Sequence, residues 1–425
     1  MINHPGFALA LRLIAAAMSF AFGILAARVL GVEGFGAFNM VLAFVNIGIV
    51  VSLLGHETLA TRDVARSLGS PEGHADLKRY ILQTARWVLL ASIFVMLAEL
   101  LMLWALPQGG RVPIEMWFML ALVVLIARTR FSQAIIRGAH KASLALVPDG
   151  ILRPGLAMLG FAAMLAVGIS SVSVIVVLML GSALLAMLAG MYWEKKSLGS
   201  DKRVGSSAPP PEVAMPSKRP AFSGAMYASS ILAVLGSQMA IIATSAIAGP
   251  EQAGLYAAAE RFALAAALIG QAVYQAVASR LAALYAKGEH EAMRVLVRRV
   301  TRRVALGTLA VVAVIMFAAR PLLMLYGPGF EAAQPVLMVL LVSVLINVSV
   351  GPVGMLLLMT HNERYHFAAL IASVLTQMAL FPWVISHYGV VGAAAVVLIS
   401  TIVWNALMSN FVHRRLAINQ CLIFA

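Results

Sequence analysis

Residues 194–220 read EKKSLGSDKRVGSSAPPPEVAMPSKRP and stand almost at the middle of the chain. This stretch is charged, rich in small residues and proline, and without apolar periodicity. A segment of this composition cannot bury enough apolar surface to fold alone, so it predicts a flexible linker. The predicted organisation is an N-terminal half at 1–193, the linker at 194–220 and a C-terminal half at 221–425.

Both halves are almost wholly apolar. The 425 residues are 62% hydrophobic and 11% charged, with a mean hydropathy of +0.93, whereas soluble domains are apolar over about half of their residues. Runs of about twenty apolar residues recur, and each can cross roughly 30 Å of hydrocarbon as a helix. The sequence predicts an all-α polytopic membrane protein with about twelve transmembrane helices, at 7–30, 34–58, 84–106, 114–138, 144–167, 171–193, 221–248, 252–284, 302–320, 331–360, 366–386 and 390–412.

Three local features refine this prediction. The first apolar run has no basic region before it and is followed at once by a second run, so no cleavable signal peptide is expected. The single cysteine, Cys421, excludes an intramolecular disulfide and a cysteine-based metal site. Pro352, after Gly351, and Pro382 lie within apolar runs and predict kinked helices.

The basic residues are confined to alternate loops. A net charge of +14 in a soluble domain would suggest a nucleic-acid partner. Here 26 of the 31 Lys and Arg residues fall in 61–86, around Gly138, in the linker, in 280–303, at Arg364 and at Arg414-Arg415. The opposite loops hold only Arg28, Arg111 and Arg320. By the positive-inside rule both termini and the linker are expected in the cytoplasm, and no nucleic-acid partner is expected.

The two halves repeat each other. Residues 31–38 (GVEGFGAF) are echoed by 249–256 (GPEQAGLY), and Thr61-Arg62 by Ser279-Arg280, both at an offset of 218 residues. Weaker echoes pair 138–141 with 360–363 and 167–169 with 388–390. Six predicted spans in each half start both halves on the same side of the membrane. The repeats are therefore expected to run parallel, related by a pseudo-two-fold axis along the membrane normal.

Three stretches, 28–36 (RVLGVEGFG), 249–256 and 381–394 (FPWVISHYGVVGAA), resemble polysaccharide flippases (Wzx-type) of the multidrug/oligosaccharidyl-lipid/polysaccharide exporter superfamily. The resemblance implies two six-helix bundles in a V around a central cavity, alternating between inward- and outward-open states as in MATE transporters. It implies movement of a polyprenyl-diphosphate-linked oligosaccharide across the bacterial inner membrane, for O-antigen, capsule or exopolysaccharide. Membrane lipids and the pathway's polymerase and glycosyltransferases are the implied partners. The relative that flips the peptidoglycan precursor usually has fourteen spans, so a count of twelve weighs against that member.

Ionisable residues inside spans are costly and are therefore candidate functional residues. Arg128, Arg130 and Arg153 lie about 15–20 Å from the turn at 138–140, at 1.5 Å per residue, and are predicted to line a substrate cavity. The alternative is that they reach the cytoplasmic headgroups as snorkelling anchors. Asp149 precedes Arg153 by four residues, so the two can pair on one helical face.

Further candidates are spread over both halves. Arg261 and Arg12 are predicted substrate contacts, although Arg12 could equally be an anchor. Gln271 and Gln275 are the polar residues best placed to line a cavity. The acidic residues Glu260, Glu99 and Asp149 are possible coupling-ion sites, the alternative for Glu260 and Arg261 being an interhelical charge pair with Glu99.

The charge of the side chains that line the predicted cavity distinguishes between the possible functions. Basic residues suit a diphosphate, whereas a drug or cation antiporter, the main alternative, needs acidic residues. A membrane polysaccharide polymerase is less favoured, because the longest outer loop spans about ten residues near Pro107 to Pro113. A membrane scaffold protein that transports nothing would not explain why charged residues lie inside the spans. No catalytic, metal or cofactor pattern is present, so an enzyme is not expected.

Overall fold

The computed structural model describes residues 5–68, 73–105, 112–199, 224–360 and 362–416. Within these ranges every regular element is helical, as predicted. Most of the predicted linker and outer loop lie outside them. The N-terminal half contains α1 (Pro5–Leu53), α2 (His56–Leu68), α3 (Gly73–Ala105), α4 (Ile114–Trp117), a 3-10 turn (Phe118–Ala121), α5 (Leu122–Gly138), α6 (Ala142–Ala145), a π turn (Pro148–Leu152), α7 (Arg153–Val167) and α8 (Val172–Gly199).

The C-terminal half is also wholly helical over the described residues. Its elements are α9 (Gly224–Ala248), α10 (Pro250–Ala286), α11 (His290–Phe317), α12 (Ala319–Met324), a 3-10 turn (Phe330–Ala333), α13 (Gln334–Val350), α14 (Val353–Met359) and α15 (Glu363–Leu416).

The described chain contains nine helices that are long and apolar enough to cross a membrane, or ten if a bent pair within α10 counts as one span. The predicted multi-pass membrane fold is therefore confirmed. Two of the nine are 40 and 52 residues long, about 60 and 78 Å at 1.5 Å per residue, or at least twice the hydrocarbon thickness. Each is two helices joined at a non-helical glycine, Gly31 in α1 and Gly389 in α15. These divisions support the count of twelve, which stays a prediction.

Left-handed glycines occur at matching places in the two halves. Gly31 (φ 67°) and Gly249 (φ 95°) separate the first and second long helices of each half. Gly168 (φ 74°) and Gly389 (φ 57°) separate the last two. Glycine adopts positive φ without the clash that a Cβ would cause. The pairs are 218 and 221 residues apart in the sequence, in agreement with the predicted repeat.

α3 and α11 bury the same pattern of positions. In each helix four residues spaced by three, four and four form one buried stripe, while the other faces are largely exposed. This spacing keeps the stripe on one side of an α-helix. The buried residues are Ile81, Thr84, Val88 and Ser92 in α3 and, 220 positions later, Thr301, Val304, Thr308 and Val312 in α11. The two helices are therefore equivalent members of the repeat.

The chain packs as two compact units. The first comprises Met1–Leu30 with Val41–Ile231, and the second Gly31–Met40 with Leu232–Ala425. The short segment Gly31–Met40 thus packs in the second unit although it belongs to the N-terminal half of the sequence.

A close helix crossing explains this placement. Within the second unit, Gly36 lies directly against Pro250, and Gly254 lies directly against Val32. The two contacts are equivalent to each other in the sequence repeat. At the offset of 218 residues, Gly36 corresponds to Gly254 and Val32 corresponds to Pro250. A Cβ on Gly36 would stand 2.6 Å from the Gly254 amide nitrogen. Only glycine lets the equivalent helices of the two halves approach this closely.

In the first unit, α2 lies across the end of α5. Arg137 donates a hydrogen bond to Glu57 at 2.8 Å, and Thr61 Oγ1 donates one to the Ala134 carbonyl at 3.1 Å. Gly138 leaves room for the Thr61 carbonyl, which would be 2.6 Å from a Cβ at that position. These contacts fix the end of α5 from which the charged residues described next are positioned.

Candidate anion-binding site

Two arginines of the first unit share one carboxylate. Arg153 Nε donates a 2.6 Å hydrogen bond to Asp149 Oδ1, and Arg130 Nε lies 3.8 Å from Asp149 Oδ2. Arg130 comes from α5, Asp149 from the π turn, and Arg153 from the start of α7. The predicted pairing of Asp149 with Arg153 is therefore present, and Arg130 joins it from a second helix. The cluster carries a net charge of +1.

Both guanidinium groups keep donors available. Each faces Asp149 through Nε, and within the described ranges neither Arg130 nor Arg153 makes another hydrogen bond or ion pair. Their side chains are 32% and 26% exposed, so the Nη groups are accessible. A guanidinium offers paired N–H groups in a planar fork that matches carboxylate and phosphate oxygens. This arrangement can accept an anionic group beside Asp149.

The π turn brings the cluster close to α1. A Cβ on Gly150 would stand 3.4 Å from Ala15 Cβ, and one on Gly155 would stand 3.0 Å from Met18 Cε. Single π turns within helices occur frequently at functional sites. Arg12 lies one helical turn before Ala15 on α1, but its side chain is outside the described part of the structure.

Arg128 belongs to a separate network. Its Nη2 donates to Glu194 Oε2 at 2.9 Å and its Nη1 to Ser132 Oγ at 2.5 Å, while Ser132 Oγ donates to the same Glu194 oxygen at 2.7 Å. The sequence predicts that Arg128, Arg130 and Arg153 lie at the same depth in the membrane and line one cavity. Residues two apart on a helix point about 200° apart, and the structure accordingly places Arg128 and Arg130 in different contacts. Arg128 is neutralised by an acid and is not a free cation.

The partner of Arg128 comes from the predicted linker. α8 continues to Gly199, so residues 194–199 are helical. The reason is burial, since Glu194 is 6% and Ser197 1% exposed. The spacing of Ser132 four residues after Arg128 was visible in the sequence, but nothing there identified Glu194 as the third member.

We expect Arg128→Ala to destabilise the first unit rather than weaken ligand binding. The substitution leaves the buried Glu194 carboxylate without its cation, and breaking a buried pair in this way costs up to about 3–5 kcal/mol. Thermal unfolding of the purified protein in detergent measures the loss. The double variant Arg128→Ala/Glu194→Gln should recover most of it, because no charge then remains buried. A double variant as unstable as the single one would contradict this role.

Glu99 is a buried carboxyl on α3. It is 7% exposed, no side chain donates a hydrogen bond to either oxygen among the described residues, and the Gly48 backbone is the polar group beside it. It lies against Gly48 of α1, where a Cβ would stand only 2.6 Å from Glu99 Oε1. An ionised carboxylate without a partner is strongly disfavoured in an apolar interior. Glu99 therefore has a geometry suited to carrying a proton or a small cation.

Arg261 lies in the second unit against an aromatic cluster. Its guanidinium carbon is 5.9 Å from the centre of the Phe35 ring, and its Nη2 donates to Asn39 Oδ1 at 3.4 Å. Phe35 also meets Tyr326 and Phe330 edge to face. Glu260 is the neighbouring residue on α10. Sequence reasoning missed Phe35 and Asn39 as partners of Arg261, although both lie in or next to the repeated 31–38 stretch.

Gln271 and Gln275 are both exposed on α10 of the second unit. Tyr274, between them, donates a hydrogen bond to the Val348 carbonyl at 3.1 Å. Their predicted role as cavity residues stays a prediction. In the part of the chain that the structure describes, no group of three or more His, Cys, Asp and Glu side chains could hold a metal ion.

Comparison with known families adds an identification to this geometry. Residues 6–279 match the family described as "Polysaccharide biosynthesis protein". The chain belongs to this family. The match includes the whole Arg130–Asp149–Arg153 cluster, Glu99 and Arg261. The resemblance drawn from the sequence is therefore confirmed at the level of the family. No curated protein sequence matches the chain.

Solved structures share the fold of this polysaccharide biosynthesis family member. An inward-facing multidrug resistance MATE family transporter of the MOP superfamily aligns with a TM-score of 0.75 and 17% identity, over 97% of this chain and 98% of that one. The lipid II flippase MurJ, in an inward closed conformation, aligns at 0.71 and 13%, over 95% and 87%. A MOP superfamily transporter from Pyrococcus furiosus aligns at 0.59 and 17%, over 97% and 93%.

These likenesses confirm the predicted fold class. At such low identity they show the fold alone.

Proposed function

We propose that the chain is a flippase that moves a polyprenyl-diphosphate-linked oligosaccharide from the inner to the outer leaflet of the bacterial inner membrane. The observation that carries the proposal is the Arg130–Asp149–Arg153 cluster, in which two arginines keep donors available inside a membrane-spanning unit. The polysaccharide biosynthesis family supports the substrate class. The presence of a lipid II flippase among the proteins of the same fold supports the reaction.

The cost of placing arginines in a membrane supports a role in binding. One Arg at mid-membrane costs about 2.5–3.5 kcal/mol on insertion scales. Asp149 offsets one of the two charges of Arg130 and Arg153. The remaining charge is best accommodated where water or an anionic ligand reaches it. A diphosphate supplies several acceptor oxygens for the Nη donors, while the sugar remains in water and the lipid tail in the bilayer.

Asp149 keeps this binding reversible. A flippase must release its substrate on the far side, so an uncompensated pair of arginines would hold a diphosphate too tightly. Because Asp149 already accepts from Arg153 at 2.6 Å, the diphosphate competes with an internal anion. Arg12 of the first unit is a further proposed contact, and Arg128 supports the structure. For Arg261, Gln271 and Gln275 of the second unit, a role in substrate binding is proposed from the sequence alone.

The acidic residues do not favour a cation or drug antiporter as the main function. Asp149 faces two arginines and is a poor cation site. Glu260 adjoins Arg261 in the sequence. Glu99 is the acid best suited to a coupling ion, because its carboxyl is buried and has no cationic side chain as a partner among the described residues. We assign it that accessory role.

The remaining parts of the proposal follow from the sequence. The basic loops support a cytoplasmic position for both termini and the linker. O-antigen, capsule or exopolysaccharide synthesis is the proposed pathway, with its glycosyltransferases supplying the substrate and its polymerase using the product.

Restoration of surface polysaccharide in a strain that lacks its own flippase would test the function. Failure to restore it in several such strains, combined with increased resistance to cationic drugs, would favour the antiporter instead.

We expect Asp149→Asn to tighten binding of a prenyl diphosphate and to slow transport. Removing the internal anion raises the charge of the cluster from +1 to +2 and frees both Nε donors. A hydrogen bond to a charged group is worth about 1.5–3 kcal/mol, which corresponds to roughly tenfold or more in affinity. Binding of farnesyl diphosphate to the purified protein in detergent provides the measurement.

Weaker binding of farnesyl diphosphate by Asp149→Asn would identify a different role for Asp149. If Asp149 only holds the arginines in position, Asp149→Asn weakens farnesyl diphosphate binding and slows transport together. Arg137→Gln at the neighbouring Glu57 pair is the matched control, since it removes an ion pair of α5 outside the cluster.

A further inference from the structure

Four arginines stand together in the first half of α11, the 28-residue helix His290–Phe317. Arg298, Arg299, Arg302 and Arg303 are all exposed, while Val297, Thr301 and Val304 are buried on the opposite side of the helix. Arg298 and Arg302 are four residues apart, as are Arg299 and Arg303, so each pair lies on one helical face. Together they form a basic surface that covers two successive turns.

This surface has no protein counter-charge among the described residues. The nearby Glu291 is used by Arg294, at 3.2 Å. None of the four arginines has a hydrogen bond or ion pair within the described ranges. A charge of +4 is therefore presented outward.

The basic surface continues directly into an apolar one. Leu306 and Leu309, one and two turns beyond Arg302, are 59% and 50% exposed, and Phe317 at the end of the helix is 96% exposed. Because α11 is long and apolar enough to cross a membrane, large apolar side chains exposed along it suit contact with the acyl chains of lipid. The arginines thus lie where headgroups meet those chains. A molecule that is anionic at one end and apolar at the other fits both surfaces at once.

α3, the equivalent helix in the N-terminal half of the sequence, has only one of the two basic pairs. At the offset of 220 residues that aligns their buried stripes, Lys78 and Arg79 of α3 match Arg298 and Arg299. Leu82 and Gln83 match Arg302 and Arg303, and all four residues of α3 are exposed too. Basic loops at the cytoplasmic side explain the first pair in both halves. They do not explain a second arginine pair one turn deeper in α11 alone.

We propose that Arg298, Arg299, Arg302 and Arg303 bind the headgroup of an anionic phospholipid, whose acyl chains lie along Leu306 and Leu309. The ligand class is a bilayer phospholipid with a net negative headgroup, such as phosphatidylglycerol. This site is distinct from the Arg130–Asp149–Arg153 cluster and does not rest on the proposed substrate. The lipid holds the cytoplasmic end of α11 at the membrane surface.

The test measures phosphatidylglycerol binding, with phosphatidylcholine as the neutral comparison, to the purified full-length protein in detergent. The variant Arg302→Leu/Arg303→Gln installs the residues found at the equivalent positions of α3. Lys78→Leu/Arg79→Gln removes the same charge from α3 and is the matched control. At about 1 kcal/mol for each basic residue, the α11 variant should bind phosphatidylglycerol roughly 10- to 30-fold more weakly. The control should retain the preference, and high salt should abolish it in both the native protein and the control.

Three results would overturn the proposal. The α11 variant retains the preference for phosphatidylglycerol, both double variants lose it equally, or farnesyl diphosphate occupies these arginines in preference to phosphatidylglycerol. If Arg302→Leu/Arg303→Gln does not fold, Arg302→Lys/Arg303→Lys is measured instead. That variant keeps the charge and should keep most of the preference, so its complete loss in a folded protein would also overturn the proposal.

Discussion

Arg153→Ala is expected to abolish export of surface polysaccharide in a flippase-deficient strain while leaving the amount of protein in the membrane near that of the native chain. Arg153 donates a hydrogen bond to Asp149 through Nε at 2.6 Å, and in the proposed function its Nη groups donate to the diphosphate. Its loss leaves one arginine opposite Asp149, and the cluster becomes neutral. A neutral cluster has little affinity for a diphosphate. Arg153→Lys should restore export partly, because it keeps the charge but loses the planar fork.

A double variant distinguishes a substrate contact of Arg153 from a purely structural role. If Arg153 merely neutralises Asp149, then Arg153→Ala/Asp149→Asn removes both charges and should export nearly as well as the native chain. If Arg153 contacts the substrate, the double variant stays inactive despite normal stability. Residues within one network are not additive, so this cycle measures their coupling directly. Export by the double variant at the native rate would refute a substrate contact.

Gly254→Ala is expected to cause a large loss of stability. A Cβ at this position would overlap the Val32 carbonyl oxygen and stand 3.2 Å from the Gly36 amide nitrogen. Both neighbours are backbone, which cannot move as a flexible side chain can. Overpacking typically costs about 1–3 kcal/mol, and we expect the upper end here. Thermal unfolding in detergent and the yield of monodisperse protein measure the effect.

The chain provides a matched control for this substitution. At Gly181 in α8 and Gly307 in α11 a Cβ would meet no other atom within 4 Å, and the φ angles of both residues are not positive. Alanine at either position should be neutral or slightly stabilising, since alanine favours helix over glycine. Gly36→Ala should resemble Gly254→Ala, because the contact is reciprocal. Equal stability of Gly254→Ala and Gly181→Ala would show that the crossing tolerates a side chain.

The fold followed from the sequence because its determinants are local or periodic. Apolar runs set the spans, and the repeated 31–38 and 249–256 stretches place Gly36 against the helix that begins at Pro250. Pro382 was less informative, since α15 passes through it as a helix and instead breaks at Gly389. The positive φ at Gly389, which glycine adopts without steric cost, takes the chain out of helical geometry at that point.

The candidate site was only half predictable. Spacing alone indicated the Asp149–Arg153 pair, because residues four apart share a helical face. Depth in the membrane suggested grouping Arg128 with Arg130, but depth ignores the direction in which a side chain points, and the two arginines make different contacts. Glu194, the partner of Arg128, lies 66 residues away and comes from a polar stretch whose composition suggested a linker. Contacts between distant segments of this kind depend on how the helices pack and leave no periodic trace in one sequence.

Reconstitution into liposomes tests the central proposal most directly. Purified protein is incorporated into vesicles that carry a short polyprenyl-diphosphate-linked oligosaccharide with a labelled sugar, and appearance of the sugar on the opposite face is followed with an impermeant glycosidase. The native protein should accelerate the transfer well above protein-free vesicles. Arg130→Ala/Arg153→Ala should transfer no faster than those vesicles. Transfer at the protein-free rate by the native protein, or at the native rate by the double variant, would contradict the account.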